Sequence, residues 1–242
     1  MSKRTPVSVD GQAGTPETRS SNSEIDAFLD AASRIKPGAD NRGRLVFALD
    51  ATMSRQPTWD RACAIQGEMF REAGAIGSLD IQLVYFRGFG ECAASKWVGD
   101  GAALGRLMSR IECRGGHTQI RKVLAHARKA CKKEKISALV YVGDCMEEDA
   151  DDLCAAAGEL GLLGVPAFLF QEGGDQAAER TFREIARLTK GAYCRFDANS
   201  AQLLAQLLKA VAVYAVGGRK ALSDYRSRGG AGARLLLEQF KG

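Results

Sequence analysis

Five short apolar runs and one half-polar strand are interspersed with segments of helical periodicity along most of the chain. The first run, about 44–50, contains Leu45-Val46-Phe47-Ala48-Leu49 and ends abruptly at Asp50. The second, about 79–87, contains Ile81, Leu83, Val84, Tyr85 and Phe86, and Gly88-Phe89-Gly90 turns it into a half-polar strand at about 91–98. Three more apolar strands are predicted at 136–143, 167–170 and 193–196. Runs of this length that are apolar on both faces read as central strands of a parallel sheet, whereas the alternation in 91–98 suits an antiparallel edge.

Between the strands the apolar spacing changes to three and four. Helices are predicted at about 57–72, with Pro57 in the first turn, and at 101–112, with Leu104, Leu107, Met108 and Ile111 on one face. Further helices are expected at 118–133, where Ile120, Val123, Leu124, Ala127 and Cys131 face inward, and at 149–161, 176–189 and 200–216. The alternation implies an α/β fold: a doubly wound, mainly parallel six-stranded sheet with one antiparallel edge strand and helices on both faces. It would occupy about 40–217. Residues 1–39 are expected to be disordered apart from a short amphipathic helix at about 23–36, capped by Ser23 and ended by Pro37-Gly38. Residues 218–242 form a basic, Gly-interrupted tail whose last piece, Ala233 to Lys241, is apolar enough to want a partner surface.

The chain has 242 residues, 45% hydrophobic and 26% charged, which fits one globular domain with extensions. No stretch approaches the roughly 20 apolar residues of a membrane span, and the N-terminus lacks the apolar centre of a signal peptide. The seven cysteines are scattered, odd in number and without a C-x-x-C pair, so a reducing compartment, the cytoplasm, is expected. Most read as small buried hydrophobes, with Cys145 set apart because it follows Asp144. A net charge of +5 does not imply nucleic acid. The basic helix carrying Arg121, Lys122, Arg128, Lys129, Lys132, Lys133 and Lys135 has no interleaved aromatics for base stacking and reads as a solvated face. His126 is expected on that helix surface, and His117 at a helix start.

The chemistry concentrates where strands end. Asp50-Ala51-Thr52-Met53-Ser54 puts a carboxylate and two hydroxyls on one turn. Thr118 follows Gly115-Gly116-His117, and Asp144 closes the run from Leu139. In an open α/β sheet these ends share one rim, where ligands collect. Oxygen donors without imidazole suit a hard cation, Mg²⁺ or else Mn²⁺ or Ca²⁺. Gly115-Gly116 is expected to let the backbone approach that ion. Taken singly, each of these residues would serve equally well as a helix cap.

Asp50, Thr52, Ser54, Thr118 and Asp144, in this order and after these strands, resemble the metal-ion-dependent adhesion site of the von Willebrand factor A family. The resemblance covers about 40–217, including the hairpin edge strand. One departure is Thr52, where the family usually has Ser. The resemblance implies that Ser54, Thr52 and Thr118 ligate directly or nearly so, and that Asp50 and Asp144 act largely through water and hydroxyls. It implies a non-enzymatic, metal-dependent protein-binding module whose ion captures a partner's acidic side chain, with no membrane or nucleic-acid partner. Two alternatives stay open: an adaptor working through its terminal helices with a vestigial metal site, and a Mg²⁺-dependent phosphoryl-transfer enzyme. The latter lacks both a P-loop and a D-x-D pair. The acidic run Glu147, Glu148, Asp149, Asp151 and Asp152 either complements a helix N-terminus or lines the rim.

Overall fold

A computed structural model of the chain describes residues 43–60, 63, 79–196, 206, 209 and 210. The predicted helices at 23–36 and most of 57–72 and 200–216, and the tail, lie outside the described residues. A six-stranded sheet organises the described residues, in the order β3-β2-β1-β4-β5-β6. Its strands are β1 (Gly43–Asp50), β2 (Leu79–Arg87), β3 (Glu91–Val98), β4 (Ala138–Gly143), β5 (Ala167–Glu172) and β6 (Ala192–Phe196). All neighbours are parallel except β2 and β3, which form the antiparallel hairpin at one end of the order.

β1 explains why its residues are apolar almost throughout. It is hydrogen-bonded on both edges, to β2 and β4, and its side chains alternate between two cores. Leu45, Phe47 and Leu49 join the cluster containing Trp59, Leu104, Met108, Phe168 and Phe170. Val46 and Ala48 join the opposite cluster with Val123, Leu124, Leu160, Phe182 and Ile185. The four described helices with complete bounds are α1 (Gly101–Met108), α2 (Ile120–Lys133), α3 (Ala150–Leu162) and α4 (Gln176–Leu188). α1 serves the first core, and α2, α3 and α4 serve the second. Asp100, Asp149 and Asp175 cap α1, α3 and α4 by accepting hydrogen bonds from first-turn amides.

α1 ends at Met108, four residues before the predicted 112, although Ile111 is buried as its stripe implied. The chain leaves the helix there because the segment beyond it becomes extended beside the end of β1. Arg114 N–H donates to the Ala51 carbonyl at 3.0 Å and forms a parallel bridge with Thr52. Trp59 Nε1 anchors the same segment through the Ile111 carbonyl at 3.0 Å.

His126 is half-buried rather than on the surface, with Nε2 2.8 Å from Gln82 Oε1. Burial holds its basicity below the usual imidazole value, and Lys129 adds to that. The basic face of α2 is also more engaged than a solvated face: Arg121 pairs with Asp152 at 2.9 Å and Arg128 pairs with Glu159, both on α3.

Candidate metal centre

After β1 the chain moves outward to β2 and β3, then crosses back to β4 on the other side of β1. The crevice at the carboxyl ends of β1 and β4 is therefore the point where the direction of winding reverses, the usual ligand site of such sheets. Asp50 is the last residue of β1 and Asp144 immediately follows β4.

Asp50 is fully buried. Its Oδ1 accepts the Thr52 N–H at 2.8 Å, while Oδ2 has no hydrogen-bond partner among the described residues. Asp144 Oδ1 is likewise buried and unpartnered. Carboxylate oxygens of these two residues lie within 4.8 Å of each other and of Cys145 Sγ. Thr52 and Ser54 present hydroxyls 3.1 Å apart on the short 3₁₀ turn Met53–Arg55, Thr52 buried and Ser54 exposed.

Burial pushes the Asp50 carboxyl up to about 6, and the neighbouring Asp144 charge pushes in the same direction. The Thr52 hydrogen bonds oppose this shift, and Arg55 opposes it least. Arg55 is itself fully buried, but its charge is spent elsewhere. Its Nη1 lies 2.7 Å from Glu172 Oε2, off the line of a good hydrogen bond, and none of its three guanidinium nitrogens makes a well-directed one among the described residues. Thr58 Oγ1 donates to the same Glu172 oxygen at 3.0 Å. Two adjacent carboxylates with vacant buried lone pairs and no committed counter-charge form a donor set suited to a divalent cation.

Thr118 reaches the rim by a different route from that expected. Its hydroxyl accepts the Glu147 N–H at 3.0 Å, and Glu147 Oε2 in turn accepts the Thr118 N–H at 2.8 Å. Glu148 accepts the amides of Ile120 and Arg121. One lone pair on Thr118 Oγ1 remains for a ligand. The acidic run is thus used twice: Asp149 caps its own helix, while Glu147 and Glu148 reach back to satisfy the N-terminus of α2.

The role expected of Gly115-Gly116 is corrected. Gly115 faces open space, and a Cβ on Gly116 would run into the backbone of Gly88, which stands at φ +63° in the β2–β3 turn. The close approach is backbone to backbone. His117 N–H donates to the Gly88 carbonyl at 3.3 Å, and the Phe89 ring meets the His117 ring edge-on at 5.2 Å. Phe89 and Met53 are exposed, so the rim carries apolar side chains beside its polar centre.

Arg55, Glu172 and Tyr141 escaped the sequence reading. A buried Arg paired across the rim leaves no spacing signal, because its partner is 117 positions away at the end of another strand. Tyr141 reads as one more apolar strand residue, yet its hydroxyl is buried without a partner among the described residues, close under Gly143.

The fold has counterparts of known structure. A von Willebrand factor type A protein from Catenulispora acidiphila superposes with a TM-score of 0.59 at 17% identity, over 73% of this chain and 43% of that one. The SpRpn10 VWA domain gives 0.53 at 13% identity, over 74% and 97% of the respective chains. The fold is that of a von Willebrand factor A domain. The pilus adhesin SpaC of Lactobacillus rhamnosus GG superposes with a TM-score of 0.55 at 11% identity, over 80% of this chain and 31% of that one. The chain therefore spans less than half of the Catenulispora protein and about a third of the adhesin. By sequence, no family model matches it and no curated protein matches significantly.

Proposed function

We propose that the chain is a non-enzymatic protein-binding module whose rim holds a divalent cation, and that the cation receives an acidic side chain from a partner. The observation that carries this reading is the buried Asp50 carboxylate, unpartnered at Oδ2 and raised to about 6, beside the equally unpartnered Asp144 Oδ1. A cation between them supplies the counter-charge that Arg55 does not.

Asp50 and Asp144 would hold the ion directly or through water, with the hydroxyls of Thr52 and Ser54 beside them and Thr118 contributing its remaining lone pair. When bound, the ion offers positive charge and an exchangeable position. Met53, Phe89 and His117 would then meet the apolar parts of a partner around the captured carboxylate, the arrangement of an interface with a polar anchor. The adhesin among the structural counterparts supports a partner that is another protein.

The test is affinity purification with wild-type and Asp50→Ala baits, each with Mg²⁺ and with EDTA. The expected partner set comes down only with wild type and metal. The same proteins in all four samples would refute the reading and favour an adaptor acting through its termini. Mg²⁺-dependent hydrolysis of a phosphate ester that Asp50→Ala abolishes would overturn the non-enzymatic assignment.

A further inference from the structure

We propose that Cys145 is a ligand of the rim cation, and that the centre therefore selects a borderline, thiophilic divalent ion such as Zn²⁺ or Co²⁺ over Mg²⁺. The inference rests on the reading that the rim holds a divalent cation, and it names the class of ion.

The geometry places three potential donors around one point, somewhat wider than a closed site. Cys145 Sγ and one carboxylate oxygen each from Asp50 and Asp144 lie within 4.8 Å of one another. An ion about 2.3 Å from sulfur and about 2.0–2.2 Å from each oxygen, in tetrahedral arrangement, sets the donors roughly 3.5 Å apart. Three protein donors leave a fourth position open to water or to a partner's carboxylate, and Thr118 Oγ1 would then act on the ion through that water rather than directly.

Cys145 is also the wrong cysteine for a packing role. Cys113 and Cys194 are members of the hydrophobic core, Cys63, Cys92 and Cys131 pack against one core or the other, and Cys154, which joins neither, lies on α3 away from the rim. Cys145 belongs to neither core and is half-buried at the rim. Beside it, fully buried Asp50 keeps an oxygen without a partner among the described residues.

The backbone that carries Asp144 and Cys145 is held in place. Buried Gln171 on β5 donates to the Asp144 carbonyl at 3.5 Å, and Tyr193 Oη donates to Gln171 Oε1 at 2.7 Å. Such outer support orients ligands in metal sites. Thr52 then serves by hydrogen-bonding Asp50 rather than by ligating. A sulfur donor is a poor match for Mg²⁺, which demands oxygen, and a good one for Zn²⁺ or Co²⁺, with the thiol proton passing to solvent on coordination.

The full chain, stripped of metal under reducing conditions, is titrated with Co²⁺ and followed by absorption, with Zn²⁺ and Mg²⁺ affinities measured by calorimetry. Wild type should show a cobalt–thiolate charge-transfer band and bind Zn²⁺ far more tightly than Mg²⁺. Cys145→Ser should lose the band and bind Zn²⁺ at least about tenfold more weakly, so that the preference for Zn²⁺ over Mg²⁺ shrinks. Cys145→Ala provides a second variant, and thermal melts verify that both remain folded. Co²⁺ binding to wild type without a charge-transfer band overturns the inference but leaves an oxygen-only metal site standing. A band that persists in Cys145→Ser also overturns it. Failure of folded wild type to bind Co²⁺, Zn²⁺ or Mg²⁺ removes the metal site itself.

Discussion

Replacing Asp50 with asparagine should make the metal-free protein more stable, although it removes the central residue of the rim. Asparagine keeps Oδ1 as acceptor for the Thr52 N–H at 2.8 Å and is nearly isosteric, so the backbone turn survives. What it removes is a buried charge with an unpartnered oxygen next to Asp144. The carboxyl rises from 3.8 to about 6 on folding. At roughly 1.4 kcal/mol per pH unit, keeping Asp50 ionised at neutral pH costs the fold about 3 kcal/mol. The sign follows from linkage. A folded value above the unfolded one means the native state binds more protons, so Asp50 weakens the fold as pH rises from about 4 through 6 and costs nothing below that window.

The assay is urea and thermal unfolding of wild type and Asp50→Asn in EDTA at pH 4 and pH 7.5. The variant should be more stable by about 1–3 kcal/mol at pH 7.5, a rise of several degrees in Tm, and equal to wild type at the lower pH. Mg²⁺ or Zn²⁺ should then raise the Tm of wild type and leave the variant unmoved. A variant less stable than wild type at pH 7.5 in EDTA, or a difference independent of pH, would refute the electrostatic account of the site.

Tyr141→Phe should be neutral or stabilise by up to about 1 kcal/mol in urea unfolding, because it deletes a buried hydroxyl without a partner among the described residues. A loss of more than about 1 kcal/mol would mean that the hydroxyl is satisfied. Gly116→Ala should cost about 1–3 kcal/mol by forcing the Thr118 loop off the Gly88 turn, and should weaken metal binding measured by calorimetry. Glu172→Gln should cost about 3–5 kcal/mol by stranding buried Arg55, and Arg55→Met with Glu172→Leu should recover most of it in thermal melts. A double variant as unstable as the single one would show that the pair does more than neutralise charge.

The strands were legible in the chain because β1, β4 and β5 are covered on both faces and read as continuous apolar runs, while β3 keeps the alternation of a half-exposed edge. The six predicted strands all form, and the sheet carries its antiparallel strand at one end. The end of α1 was not legible, because the departure of the chain after Met108 is dictated by pairing with Ala51 and Thr52, more than fifty residues earlier. Periodicity records what a helix buries, not what the next segment is needed for. The glycines before Thr118 show the same limit: their sequence announces a close approach and not what is approached.

By itself the sequence determined the elements, their order and the placement of polar residues at strand ends, because burial periodicity is a local property and strand ends in a wound sheet share a side. Tertiary structure alone decided which of those residues act together. It brought Cys145 Sγ within 4.8 Å of the Asp50 and Asp144 carboxylates, turned Glu147 and Glu148 onto the N-terminus of α2, and spent Arg55 on Glu172. The physical reason is that these outcomes depend on competition among charged and polar groups for the same partners in a buried space. That competition is settled by distance across the sheet, which no spacing along the chain encodes.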